Sequence, residues 1–284
     1  MIKSTIKQAL TAVTLAAGAI SSASAAFVLQ SGDFLMTVNL YDSATTFYSA
    51  NCNTVAGCDA VSTPAPGSMG SVNTSADTMG IFSIATITRL SDDSTYFTRG
   101  VDGYLTGIFG NLTDYNVSVQ GTLTSALAVG GNFSLFQTAT NYNSSLGPLV
   151  GPGKDLNNAL YPGISNGILV LEGVFTSGVI AGDTTTTFST TYNNSSINGG
   201  SGGYLDVTGG LWKDDFNTNS EIDMNGVARD LFATFTFRPN ATATSNGWTV
   251  ISTADITGSV PEPGALALIA LGLLGAGAAT RRKA

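Results

Sequence analysis

Alternation of apolar and polar residues dominates the middle of this chain. In Phe34-Leu35-Met36-Thr37-Val38-Asn39-Leu40-Tyr41 the even positions are all apolar. In Leu231-Phe232-Ala233-Thr234-Phe235-Thr236-Phe237-Arg238 the odd positions are apolar against mainly polar partners. Trp248, Val250, Ala254 and Ile256 share a third such face, interrupted by Ser252. A period of two places one side of a strand on a core and the other in water, the signature of half-buried antiparallel strands. Ile81–Leu90, Asn116–Val129, Asn132–Thr140, Gly167–Val179 and Thr184–Thr191 are further candidates, separated by Gly-, Asn- and Ser-rich breaks. One short helix is predicted, over Lys154–Tyr161. Many strands with almost no helix predict an all-β body, an antiparallel β-sandwich or jelly-roll-like domain. No fixed-period repeat speaks for a solenoid or propeller.

Three stretches break the pattern. Ala50–Thr78 reads as a long loop holding Pro64-Ala65-Pro66-Gly67, and Asn193–Gly203, almost all Asn, Ser and Gly, reads as a mobile surface loop or a ligand-facing edge. A linker is expected near Thr257–Val260, ahead of the prolines.

The two ends do not belong to the body. Lys3 and Lys7, the apolar run Ala9–Ile20 and the small residues Ser21–Ala25 have the layout of a secretory signal, predicted to span 1–25 and to be cut by signal peptidase. At the other end Val260-Pro261-Glu262-Pro263 precedes an uncharged stretch, Gly264–Thr280, and then Arg281-Arg282-Lys283. As a helix the stretch reaches roughly 26 Å, the minimum for a hydrocarbon core, and the basic tail belongs on the cytoplasmic side. The expected division is a signal over 1–25, a β-rich exported body over 26–259 and a C-terminal unit over 260–284.

The C-terminal elements, in this order, resemble the PEP-CTERM sorting signal of Gram-negative bacteria over Val260–Lys283. The resemblance implies recognition of Pro261, Glu262 and Pro263 by exosortase, a membrane protease that removes the helix. It implies an inner-membrane intermediate held by that helix, with Arg281, Arg282 and Lys283 as its basic tail. It also implies a final place at the cell surface or in the extracellular matrix, in organisms that make exopolysaccharide, biofilm or floc. Gly209-Gly210, Phe216-Asn217-Thr218-Asn219 and Asp230-Leu231-Phe232 ahead of a Phe/Thr strand bear a looser likeness to flocculation-associated members of this group.

Composition narrows the chemistry. Hydrophobic residues make up 43% of the 284 and charged ones 11%, a folded rather than a disordered composition. The chain has no histidine, which excludes Ser-His-Asp and Cys-His nucleophile activation, His-liganded zinc and an imidazole pH switch. The body carries six basic against 18 acidic residues, a net of −12, so no basic footprint for nucleic acid exists. Cys52 and Cys58, a close pair in an exported chain, predict a disulfide stiffening a small loop.

Candidate sites within the body are few. Asp215, Asn217 and Asn219, with Asp223 beyond, begin like a calcium loop, but Ser220 and Gly226 stand where that loop needs a glycine and a bidentate acid. The bland alternative is an Asx-rich turn. Trp212, after two glycines, is the candidate for glycan contact, whereas Trp248 is expected in the core. Glu172, in an apolar strand, invites a glycoside-hydrolase reading with Glu221, Asp206 or Asp92-Asp93 as partner; a solvent-facing carboxylate is the simpler account. Asn-x-Ser/Thr sequons, Asn116 and Asn132 among them, are frequent in so Asn- and Ser-rich a chain. The leading expectation is a non-enzymatic exported matrix protein without a cofactor. Its rivals are a calcium-assisted carbohydrate-binding module and an exported glycoside hydrolase.

Overall fold

The computed structural model describes residues 29–44, 78–147, 161, 163–193, 196, 198–238, 246, 248 and 250–262. Within them the chain is almost wholly β. Eight long strands follow one another around a closed antiparallel barrel: β1 (Gly32–Ala44), β2 (Thr78–Arg89), β4 (Tyr104–Gln120), β5 (Leu123–Thr138), β6 (Ile168–Thr176), β8 (Asn198–Gly209), β11 (Leu231–Arg238) and β12 (Val250–Val260). Each pairs with the next, and β12 pairs with β1 from Gly32↔Val260 to Asp42↔Val250. The short strand β3 (Thr95–Thr98) extends the sheet beyond β2. At one end β7 (Phe188–Asn193) is wedged between β5 and β8, the place β6 fills at the other end.

All-β and antiparallel were legible in the alternation; the sandwich or jelly roll was not the outcome. Alternation fixes which side of a strand is apolar, and both a sandwich and a barrel satisfy it. The β1–β12 pairing joins residues more than 200 positions apart, removes both sheet edges and turns the single sheet onto itself.

The inward residues follow the predicted parity. Met36, Val38 and Leu40 of β1 face Leu231 and Phe235 of β11 and Ala254 and Ile256 of β12 across the interior, with Phe82, Phe109, Phe133, Leu171 and Leu205 completing it. One end is plugged by α1 (Lys213–Phe216), whose Phe216 lies 5.2 Å, edge to face, from Phe34. A second apolar cluster sits outside the wall, where Ile81, Ile108 and Phe136 are covered by Tyr161, Ile164 and Trp248. Trp248 is buried there, as expected, and its Nε1–H donates to the Ser144 carbonyl at 2.7 Å. Burial pushes the Tyr161 hydroxyl up to about 12, so it stays a proton donor, to the Gly147 carbonyl at 2.9 Å.

Two expectations about loops are corrected. Of the Asn/Ser/Gly tract Asn193–Gly203, Asn193 ends β7 and Asn198–Gly203 is not a surface loop but the first half of β8, hydrogen-bonded to β7 on one side and β11 on the other. The glycines are there for proximity. A Cβ on Gly199 would stand 2.2 Å from the Thr191 carbonyl oxygen, and one on Gly203 about 3 Å from the rings of Phe175 and Phe188. Nor is there a linker at Thr257–Val260, because β12 continues to Val260 and stops where Pro261 can donate no ladder hydrogen bond. The predicted strand Asn116–Val129 is the end of β4 and the start of β5, joined at Gly121-Thr122. The helix over Lys154–Tyr161 lies outside the described residues but for Tyr161. The signal over 1–25, Cys52 and Cys58, and the stretch from Pro263 through the basic tail lie outside them entirely.

Candidate functional site

The calcium-loop residues lie along the α1–β11 connection, which includes the hairpin β9 (Glu221–Ile222) and β10 (Ala228–Arg229). Local rules place them. Asp215 sits in the first turn of α1 and is exposed. Asn217 caps that turn, its N–H donating to the Lys213 carbonyl at 2.9 Å. Asn219 takes a left-handed conformation (φ 52°), which an Asn tolerates, and its N–H donates to Asp230 Oδ1 at 2.9 Å. Asp223 lies in the hairpin turn, 4% exposed.

Asp223 is spoken for. Its Oδ1 accepts the N–H groups of Asn225 (2.8 Å) and Val227 (2.9 Å), and its Oδ2 accepts Arg229 Nε at 3.0 Å. Burial alone would push the carboxyl up; the Val227 and Asn225 N–H groups and the Arg229 guanidinium outweigh it and hold the carboxyl below its ordinary value. The guanidinium then reaches Asp206 Oδ2 at 3.1 Å through Nη1 and the Ser177 carbonyl at 3.0 Å through Nη2. Asp223 and Arg229 thus clamp the hairpin to β8 and to the segment after β6. Among the described residues no cluster of three or more His, Cys, Asp or Glu side chains is placed to hold a metal ion. Asp223 makes an Asx turn onto the Asn225 N–H, and Arg229 locks it.

Asp230 entered the sequence reading only within the looser family likeness, not as a buried anchor. It is 3% exposed and organises the other half of the connection: Oδ2 accepts the Val207 N–H at 2.8 Å and Oδ1 that of Asn219. The local signal for that role was a charge directly before an apolar alternation, at Asp230-Leu231.

Trp212, the residue expected to meet a glycan, lies inside rather than on the surface. The ring is 7% exposed and packs against Phe216, centroids 6.1 Å apart, in the plug of the barrel. It offers no open face to a sugar. The paired glycines before it let the backbone turn in rather than out: Gly210 adopts φ 96° and the Trp212 N–H donates to the Val170 carbonyl at 2.8 Å.

Glu172 lies on the outer side of β6, half-buried, opposite Ser134 and Gly209. Its suggested partners have other attachments. Asp206 pairs with Arg229. Asp92 pairs with Arg89 at 2.9 Å and accepts from Ser94 at 2.7 Å, bonds that draw its carboxyl down to about 2. Glu221 accepts the Thr257 hydroxyl at 2.9 Å.

The barrel interior holds an apolar cavity of about 50 Å³. A dry cavity that admits benzene is roughly three times larger, about 150 Å³. The void is a packing gap between the Phe and Leu side chains, too small for a ligand chamber.

The outer wall carries hydroxyls. Thr234 and Thr236 of β11 and Thr253 and Asp255 of β12 face outward and are exposed. Thr88 and Thr95 lie 3.3 Å apart through their hydroxyls across β2 and β3, as do Ser125 and Thr191 across β5 and β7. A barrel that spans a membrane has the reverse polarity, an apolar band outside and polar groups within. The outward positions of β11 and β12 named above do not carry such a band.

The last described residues form the exit of the chain. Val260 is 5% exposed and packs into the barrel core, while Pro261 and Glu262 are exposed at the plugged end. Residues 259–283 match the PEP-CTERM protein-sorting motif. No curated protein and no solved structure matches the chain. The motif is read by exosortase and directs export to the cell envelope or surface.

Proposed function

We propose that this chain, which carries a PEP-CTERM sorting motif, is a non-enzymatic component of the extracellular matrix, working in association with exopolysaccharide in biofilm or floc. The observation that carries this reading is the pairing of an export signal with a barrel whose strands β11 and β12 present Thr234, Thr236, Thr253 and Asp255 outward. Hydroxyl rows exchange hydrogen bonds with a hydrated polysaccharide at little cost in desolvation. The acidic excess keeps the body soluble and offers carboxylates to cation bridges between polymers. The barrel itself is filled, so the surface is where it meets a partner. Nothing in the geometry favours the calcium-assisted lectin or the glycoside hydrolase over this reading.

The test is the intact mass of the native protein from producing cells, taken separately from matrix and membrane fractions. The reading expects a matrix species lacking residues 1–25 and the stretch after Pro263, and co-sedimentation of that species with the cells' own exopolysaccharide. A membrane species still carrying Arg281-Arg282-Lys283, with none in the matrix, would replace it with an anchored envelope protein.

A further inference from the structure

The sorting signal and the barrel share residues. Ser259 and Val260 are the first two residues of the matched motif and the last two of β12. They pair with Asp33 and Gly32 of β1. On the other side β11 ends its pairing at Gly258, so these two residues are held by one neighbour only, together with the burial of the Val260 side chain. The next residues, Pro261 and Glu262, are already free of the sheet. Only Pro261–Pro263 lie between the barrel and Gly264 in the sequence, four residue steps from Val260 that span at most about 14 Å of chain.

A protease takes its substrate as an extended segment that satisfies its own backbone contacts. Here the segment on the N-terminal side of Pro261 is a ladder strand with its hydrogen bonds in use. A strand end held on one side opens far more readily than the barrel as a whole, because local fraying breaks few contacts. We infer that the sorting enzyme acts on a frayed end of β12, so that release of Ser259–Val260 from Gly32–Asp33 sets the rate at which the C-terminal segment is removed. A finished barrel then leaves the membrane slowly, and a chain whose β12 has not docked is cut early. This inference rests on the sorting reading of residues 259–283.

The experiment follows conversion of the full-length protein in producing cells by pulse-chase and intact mass. A six-residue Gly/Ser spacer inserted between Val260 and Pro261 separates the motif from the strand without touching the barrel. Conversion is expected to speed up by about tenfold, the scale of a fraying equilibrium removed from the path. A triple variant, Pro261→Ala, Glu262→Ala and Pro263→Ala, is run beside it. If the triple variant blocks conversion while the spacer leaves the rate unchanged or slows it, the fraying step is overturned and the sorting reading stands. If the triple variant converts normally, the sorting reading itself is overturned, and this inference with it.

Discussion

Two adjacent strands of the barrel, β11 and the first half of β8, are built on opposite principles. β11 is Leu-Phe-Ala-Thr-Phe-Thr-Phe-Arg, strong in β-propensity and in alternation, and it would be a strand in many surroundings. Its neighbour begins Asn-Gly-Gly-Ser-Gly-Gly, a composition that resists strand formation because glycine loses the most backbone freedom and brings no side chain to pack. Yet the two pair residue for residue, from Phe237↔Gly199 to Ala233↔Gly203. The glycine tract is a strand because its neighbours make it one. β7 and β11 supply ladder partners on both edges, and the edge-to-face rings of Phe175, Phe188 and Phe235 occupy the space that absent side chains leave. One strand carries its own packing; the other makes room for its neighbours' packing.

The contrast predicts opposite responses to the same kind of change. In an ordinary strand, Gly→Val is stabilising. Gly199→Val should instead be the most damaging substitution, about 4 kcal/mol or abolished folding, because the clash is with the backbone of Thr191 and Tyr192 and cannot be relieved by a rotamer. Urea denaturation measures it, and a stability equal to the parent's would remove the close-approach account. On β11, Leu231→Ala should cost about 3 kcal/mol, the usual loss for a buried leucine, with little change in the slope of the denaturation curve.

The hairpin clamp extends the comparison to a polar region next to the same strands. Arg229→Met should destabilise by about 3 kcal/mol, since it strands the buried Asp223 carboxylate. Its pH dependence has a definite sign. The folded Asp223 carboxyl lies below the unfolded value, so its stabilisation is full above about pH 4 and is lost as pH falls through the folded value. Without Arg229 the folded value rises, and the acid transition of the variant should move to higher pH. A transition at the parent's midpoint, followed by circular dichroism, would refute the clamp. The smallest effect is a gain. Ala254→Val extends a β-branched side chain into the 50 Å³ gap facing Val38 and should add about 0.5–1 kcal/mol, read as a rise in thermal midpoint.

The difference between the strands also explains what could be read in advance. The Leu231–Arg238 strand matched its predicted bounds, the alternation at 34–41 fell inside β1, and the candidate at 81–90 overran β2 by Leu90 alone, because each of these segments states its inner face locally. Asn198–Gly203 states nothing locally. Trp212 was misplaced for a related reason: its direction is set by the turn at Gly210 and by Phe216 four residues later, not by its own chemistry. The four Asx residues of the calcium-like pattern were seen, but their partners Arg229 and Asp230 were not, since a side chain's hydrogen-bond acceptors are known only once the hairpin has folded back.

By itself, then, the amino-acid sequence determined the absence of imidazole chemistry, the predominance of antiparallel strands, the acidic balance of the body and the sorting motif at the C-terminal end. These are properties of composition, period and linear order. Tertiary structure alone decided that the sheet closes through β1 and β12, that a glycine tract is a wall of the barrel, that Trp212 is a plug, and that the sorting motif begins inside the closing strand. Each of these depends on contacts between residues far apart in the chain, where the energy is in pairing and close approach that no local pattern encodes.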